Sequence, residues 1–309
     1  MANNNDLIST EMLVLIITAT VIGTLARFLS LKLDYRQYPN YPNGYLIHLV
    51  TGGVAAALGA FIIPTLMTKN FTAVTFLGIA IQHFRDVRKV ERESLLDLEG
   101  EEFAKRGNAY IDGISKIFES RNYITLIVAF TTALVIQLFQ SFLDVPTWIE
   151  VFAGSVIGLV LFYFLKHFTA RQKIGDIVTV TEGEIEIKGS DLYVDGMFVS
   201  NLMGREEAKN WFLEEGIAAV IHPNKDHFQI PLMNNGQRQA ILFETTRRLG
   251  QRKIYSAQNP TDGKVIIAIV PIIQNFELLK ETILLTPLLE TVKKNPEILK
   301  TAKEVKADE

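Results

Sequence analysis

YITLIVAFTTALVIQLFQSFL, residues 123–143, and TWIEVFAGSVIGLVLFYFLKHF, residues 147–168, decide the fold. Each is an apolar run long enough to cross a bilayer core, which takes about 20 helical residues. Only the turn 144–146 separates them, so they form a helical hairpin. Working outward from it, Met12–Leu31 and Tyr45–Met67 are two further runs of the same kind. Phe71–Phe84 is apolar but holds only 14 residues. That length leaves it open between a short span and a re-entrant or interfacial helix. Past Phe168 the character changes, and residues 170–309 read like a soluble domain.

The whole chain averages these two unlike parts. It has 309 residues, 48% of them hydrophobic and 21% charged. A net charge of −3 argues against a nucleic-acid partner, which would select a basic surface. The chain has no cysteine, which excludes disulfides, thiolate nucleophiles and cysteine-ligated zinc or iron–sulfur sites. Met1–Asp6 carries no Lys or Arg, so the first apolar run is expected to be a retained helix and not a cleaved leader.

Charge placement sets an expected orientation. Five spans with the N-terminus outside put Arg27, Lys32, Arg36, the basic stretch 85–121 and the C-terminal domain in the cytoplasm, leaving only Lys69 outside. The expected localisation is therefore the cell membrane, with the lipid bilayer as first partner. Tyr45, Tyr123 and Trp148 sit at run edges, where interfacial aromatics belong. Gly52, Ala56 and Ala60 recur every four residues, and Gly154 with Gly158 forms a GxxxG. Such stripes let helix backbones approach closely, either within one bundle or across a homo-oligomer seam.

Residues 85–122 are dense in both charge signs. Apolar positions at Phe84, Val87, Leu95, Leu98, Phe103, Ile111, Ile114 and Phe118 predict an amphipathic helix or helix pair, broken at Gly100 and Gly107. From Ile174 the period becomes two. Asp176–Val180 and Glu184–Lys188 flank Glu182-Gly183; Leu192–Val194 and Met197–Val199 flank Asp195-Gly196, which suits a type I′ turn. These strands read as a small β-meander. A helix over Arg205–Glu215 capped at Gly216, a buried strand Ile217–His222, a helix Gln237–Leu249 and a strand Lys264–Ile273 bent at Pro271 follow. Helical turns are expected over Phe276–Leu285, Leu288–Lys294 and Glu297–Val305.

The expected fold is thus a multi-pass α-helical membrane domain plus a C-terminal cytoplasmic α/β (α+β) domain with a small β-meander. Its segments are 1–84 (first helix group), 85–122 (charged cytoplasmic segment), 123–168 (helix hairpin), 172–273 (α/β domain) and 274–309 (helical tail).

P-loop, GxSxG, HExxH, helix-opening GxGxxG and kinase signatures are all missing. No cofactor and no metal site is expected: His83, His167, His222 and His227 share no i, i+4 spacing, and His222–His227 reads as a turn after a strand. Ionisable residues inside spans are functional candidates because lipid penalises them. Arg27 and His48 are such a pair, near the cytoplasmic ends of the first two helices. Arg27 is expected to snorkel to the interface. Glu150 is expected to be solvated at the outer edge of the last span. Between Arg27 and His48 lies the loop 33–44, with Asp34, Arg36, three tyrosines including Tyr38, and two prolines. This density of rigid and polar residues suits an interaction or gating loop.

Ala109-Tyr110-Ile111-Asp112-Gly113-Ile114-Ser115-Lys116 resembles the signature of the YIEGIA membrane-protein family, with Asp112 in place of Glu and Ser115 in place of Ala. The charged segment before it and the span after it sit as in that family. The resemblance implies a protein of endospore-forming Firmicutes and a role in sporulation; it assigns no catalytic residue. Asp112 beside Gly113 is the position matching the motif, and its carboxylate could pair with Arg27 or Arg36.

The leading expectation is a regulatory or scaffolding membrane protein with a protein partner. In it Arg27, Arg36, Tyr38, His48, Tyr110, Asp112 and Gly113 form a juxtamembrane cluster. The alternative is a membrane-associated peptidase acting on a developmental protein substrate, with Asp34 and Asp112 as catalytic candidates. A transporter or channel ranks third, because intramembrane charge is sparse.

Overall fold

A computed structural model of the protein describes residues 9–34, 43–69, 71–84, 86–100, 102–143, 145–169, 172–201 and 204–289. The chain forms two compact units, one of residues 1–94 with 114–170, the other of 95–113 with 171–309.

The first unit is helical: α1 Thr10–Asp34, α2 Asn43–Met67, α3 Phe71–Phe84, most of α5 Asn108–Phe142, and α6 Thr147–Phe168. Between α3 and α5 lies α4, Val87–Glu99, at whose middle the units divide. Segments of α1, α2, α5 and α6 are long and apolar enough to cross a membrane. At about 1.5 Å per residue the 14-residue α3 spans roughly 21 Å, short of a hydrocarbon core of about 30 Å. Its Phe71, Phe76 and Ile79 are nonetheless exposed. In α1, Leu13, Ile17, Val21, Leu25 and Phe28 are exposed at steps of three and four, which makes one outward apolar stripe.

Glycines set the inward packing. A Cβ on Gly59 would lie 2.2 Å from the Leu126 carbonyl oxygen, and one on Gly23 would lie 2.7 Å from Ala56 Cβ and 2.9 Å from Ala129 Cβ. Gly154 and Gly158 meet Ile136 and Thr132 of α5 in the same way, at 2.6 and 2.2 Å. The stripes read from the sequence therefore face neighbouring helices of the same chain. Leu15, Ala19, Ala60, Ile63, Ala133 and Ile136 fill the space between α1, α2 and α5.

Helix α4 ends before Gly100, and Gly107 (φ +85°) immediately precedes α5, so both glycines punctuate as expected. Gly113 does not. Asn108 through Phe142 is one continuous 35-residue helix that joins the charged segment to the third long apolar run. The charge pattern changes near Asn122, but no Gly or Pro stands between Ile114 and Phe142, and the backbone has no reason to stop there.

The second unit carries two antiparallel sheets. Strands β1 Val178–Glu182, β5 Ile217–Pro223, β7 Val265–Val270 and β6 Lys253–Gln258 are ordered β1-β5-β7-β6; β2 Ile185–Lys188, β3 Asp191–Val194 and β4 Met197–Ser200 form the meander. Asp195 (φ 49°) and Gly196 (φ 74°) make the positive-φ turn that the Asp-Gly pair predicts. The expected pairing of the first two strands fails. β1 pairs with β5 in the register Val180↔Ile221 and never meets β2. The chain changes sheets at Gly183, whose N–H donates to the Ala218 carbonyl at 3.0 Å. A Cβ there would sit 2.5 Å from Val194 and 2.9 Å from Val220, so glycine allows the crossing.

The core joins the sheets through Leu192, Val194, Phe212, Val220, Ile266 and Ala268. Every residue of β7 is buried, as a central strand requires. Helices α7 Glu206–Glu214, α8 Gln229–Leu232, α9 Asn235–Leu249 and α10 Phe276–Leu285 complete the unit. Strand β6 is an edge of mixed polarity, which left it unread in the sequence. After α10 the chain is extended at Pro287 and non-helical through Leu289, which corrects the helical start expected at Leu288. Residues 290–309, and with them the rest of the expected tail helices, lie outside the described residues.

Candidate functional site

In the first unit, the face of α5 carrying Ser115, Phe118, Asn122 and Thr125 advances by three and four residues per step, and all four side chains are buried. Arg27 of α1 packs against it. The residue is fully buried, with its guanidinium carbon 5.4 Å from the Phe118 ring centroid and Nη1 donating to Ser30 Oγ at 3.3 Å. Ser30 Oγ donates in turn to the Arg27 carbonyl at 2.7 Å. Arg27 therefore does not snorkel. Its stem lies where a side chain of Gly52 would be: a Cβ there would come within 2.3 Å of Arg27 Cγ. The missing side chain on α2 thus admits an arginine from α1.

His48 of α2 is 4% exposed and meets the same Phe118 edge-on, with centroids 4.6 Å apart. Phe118 is thus the shared partner of the Arg27–His48 pair. The sequence marks it only as one apolar position among eight. Asn122, one turn further along, is fully buried and neither atom of its amide finds a hydrogen bond among the described residues.

Glu150 is not solvated. It is 6% exposed in the first turn of α6, and Oε2 has no hydrogen-bond partner among the described residues. It lies four and eight residues before Gly154 and Gly158, and so shares their face toward α5. Arg36 and Tyr38 of the loop 33–44 lie outside the described residues, as does the side chain of Asp34.

In the second unit, the start of α5 docks on α9. Tyr110, 1% exposed, donates its hydroxyl to Glu244 Oε1 at 2.5 Å, and its ring meets Phe243 at 6.1 Å between centroids. Glu244 is itself 8% exposed, with Oε2 accepting from Arg247 Nη2 at 3.0 Å. A buried carboxylate is tolerable when it is paired and hydrogen-bonded in this way. Ile111 is fully buried and Asp112 half-buried on the following residues. Arg106, 1% exposed, forms an ion pair with Glu102 and places its guanidinium carbon 4.9 Å from the Phe243 centroid. Sequence reasoning missed Glu244, Phe243 and Arg106. A signal for the first existed: Gln237, Ala240, Ile241 and Glu244 share one helical face, which makes Glu244 an inward position.

Four helices of membrane-crossing length with an α/β region of antiparallel sheets define the class. The chain belongs to the YIEGIA family, whose description, YIEGIA protein, matches residues 15–299. It is 34% identical over 289 residues to the uncharacterized protein YphB of Bacillus subtilis (strain 168), covering 91% of this chain and 94% of that protein. No solved structure matches. The family signature Tyr110–Ser115 is the opening of α5, and five of its six residues are buried.

Proposed function

We propose that the protein is a multi-spanning protein of the cell membrane with a regulatory or scaffolding role in sporulation, acting through a protein partner. Its C-terminal unit faces the cytoplasm in this reading, and α5 is the coupling element. The observation that carries the proposal is the composition of that one helix. Its first turn holds Tyr110, bonded to the buried Glu244, and its third holds Phe118, shared by Arg27 and His48. In this reading α5, which contributes residues to both units, is the element through which a partner's binding is felt.

Orientation is directly testable, because the chain has no cysteine and single cysteines can be placed at will. Cysteines replacing Ser9, Lys69 and Lys264 should react with an impermeant maleimide in intact cells at the first two positions only. Labelling at Ser9 and Lys264 on the same side would remove α3 as a span. The role is tested by affinity purification from sporulating cells, beside proteomics of wild type, deletion and Asp112→Asn strains. The proposal expects a specific partner and no protein that accumulates in both mutant strains. Accumulation of one protein in both would replace this reading with a peptidase using Asp112.

A further inference from the structure

Within the second unit, the segment Glu102–Ala104 and the C-terminal half of α9 wall a groove of about 430 Å3, a size that suits a small organic molecule. Its lining is mainly apolar. Phe103 and Ile272, 80% and 69% exposed, form a rim, and Phe243 lies deeper. Glu102, Arg247 and Gln251 add polar groups.

Arg106, 1% exposed, is not itself a lining residue, and a ligand in the groove reaches it by displacing a lining side chain. Two of the lining residues hold it: Glu102 through Nη2 and Phe243 through its ring face. Its Nε and Nη1 are buried and have no hydrogen-bond acceptor among the described residues. A buried guanidinium short of acceptors is costly and calls for a further anion. The chemistry of the group says how one would bind. A carboxylate takes a guanidinium through two parallel N–H donors, either Nε with Nη2 or Nη1 with Nη2. Both forks run through Nη2, the one nitrogen that Glu102 occupies. Nη2 carries two N–H groups, one for each fork, and the single Glu102 oxygen takes one of them, so Glu102 completes neither fork.

We propose that this groove binds a small-molecule carboxylate carried on an apolar or aromatic body. Arg106 takes the carboxylate as a fork, Phe103, Phe243 and Ile272 receive the apolar body, and Glu102 is the internal occupant that the ligand displaces. Charge selects a monoanion, since one carboxylate leaves Arg106 as another arrives. The inference does not depend on the scaffolding role or on orientation in a membrane.

The test uses the full chain in nanodiscs, titrated with 3-phenylpropionate or 3-phenylpropanol and followed by saturation-transfer NMR, with empty nanodiscs as blank. The acid is expected to bind at least tenfold more tightly than the alcohol. Glu102→Gln keeps the shape but frees Nη2 from a competing charge, and should tighten acid binding by about tenfold. Arg106→Lys keeps the charge but has no fork, and should weaken it by a similar factor, with Trp211 fluorescence in a Trp148→Phe background reporting that the unit is still folded. Equal binding of acid and alcohol would overturn the proposal. So would a Glu102→Gln protein that binds the acid no better than wild type, or an acid that binds neither protein.

Discussion

Replacing Tyr110 by Phe removes one oxygen from the first turn of α5 and leaves its ring in place. That oxygen donates to Glu244 Oε1 at 2.5 Å in a site where Tyr110 is 1% and Glu244 8% exposed. Hydrogen bonds to charged groups contribute about 1.5–3 kcal/mol, and water cannot readily replace this one. Arg247 holds the other carboxylate oxygen at 3.0 Å, so Glu244 is not left alone in the variant. The expected loss is therefore in the lower half of that range, about 1.5–2 kcal/mol. Losing the whole ring in Tyr110→Ala should cost roughly 3–5 kcal/mol, as for other large-to-small core changes. The assay is urea unfolding of the full-length protein in mild detergent. The chain has two tryptophans, so Trp211 reports on the second unit once Trp148 is changed to Phe. A double-mutant cycle with Glu244→Gln isolates the pair, and a coupling of about 1 kcal/mol or more is expected. If Tyr110→Phe stayed within about 0.5 kcal/mol of wild type, a surface-like result, the reasoning would be refuted.

Three other outcomes are expected. Gly59→Ala places a Cβ 2.2 Å from a backbone oxygen of α5, while at Gly53 the nearest atom is Thr24 Oγ1 at 3.7 Å. Thermal melts in detergent should show Gly59→Ala destabilised by about 1–3 kcal/mol or more and Gly53→Ala close to wild type; equal melts would contradict the close α2–α5 packing. Glu150→Gln removes a buried charge whose Oε2 lacks a partner among the described residues, and should leave stability unchanged or raise it. A drop above about 1 kcal/mol would mean that the charge is held by something. Gln237 donates to the Pro287 carbonyl at 3.0 Å and accepts from the Leu289 N–H at 2.8 Å. Gln237→Leu orphans both groups, so urea unfolding should register about 2–4 kcal/mol, and a near-neutral change would show that this clamp does not hold the chain beyond α10.

Elements whose existence follows from a local period were legible in the sequence. The long runs behind α1, α2 and α6 are apolar on every face, and Phe71–Phe84 is bounded by polar residues, so the limits of all four could be read within a few positions. The Asp195-Gly196 turn was legible because only a short list of residues accepts two positive φ angles in a row. The signature Tyr110–Ser115 identified the family before any geometry was known. What a side chain meets was not legible, because a period says which residues share a face and not what lies opposite. Arg27 turns inward only because Gly52 on another helix leaves room for its stem, and Glu150 is buried only because α5 covers its face. β1 and β2 have the alternation of a hairpin, yet β1 joins β5, some forty residues away in the chain. The pattern of α9 turns Glu244 inward and the signature marks Tyr110, but nothing on either segment says that the two meet, and Arg106 looks like an ordinary loop residue. Their pairing depends on contacts between positions more than a hundred residues apart, and only the folded chain brings those together.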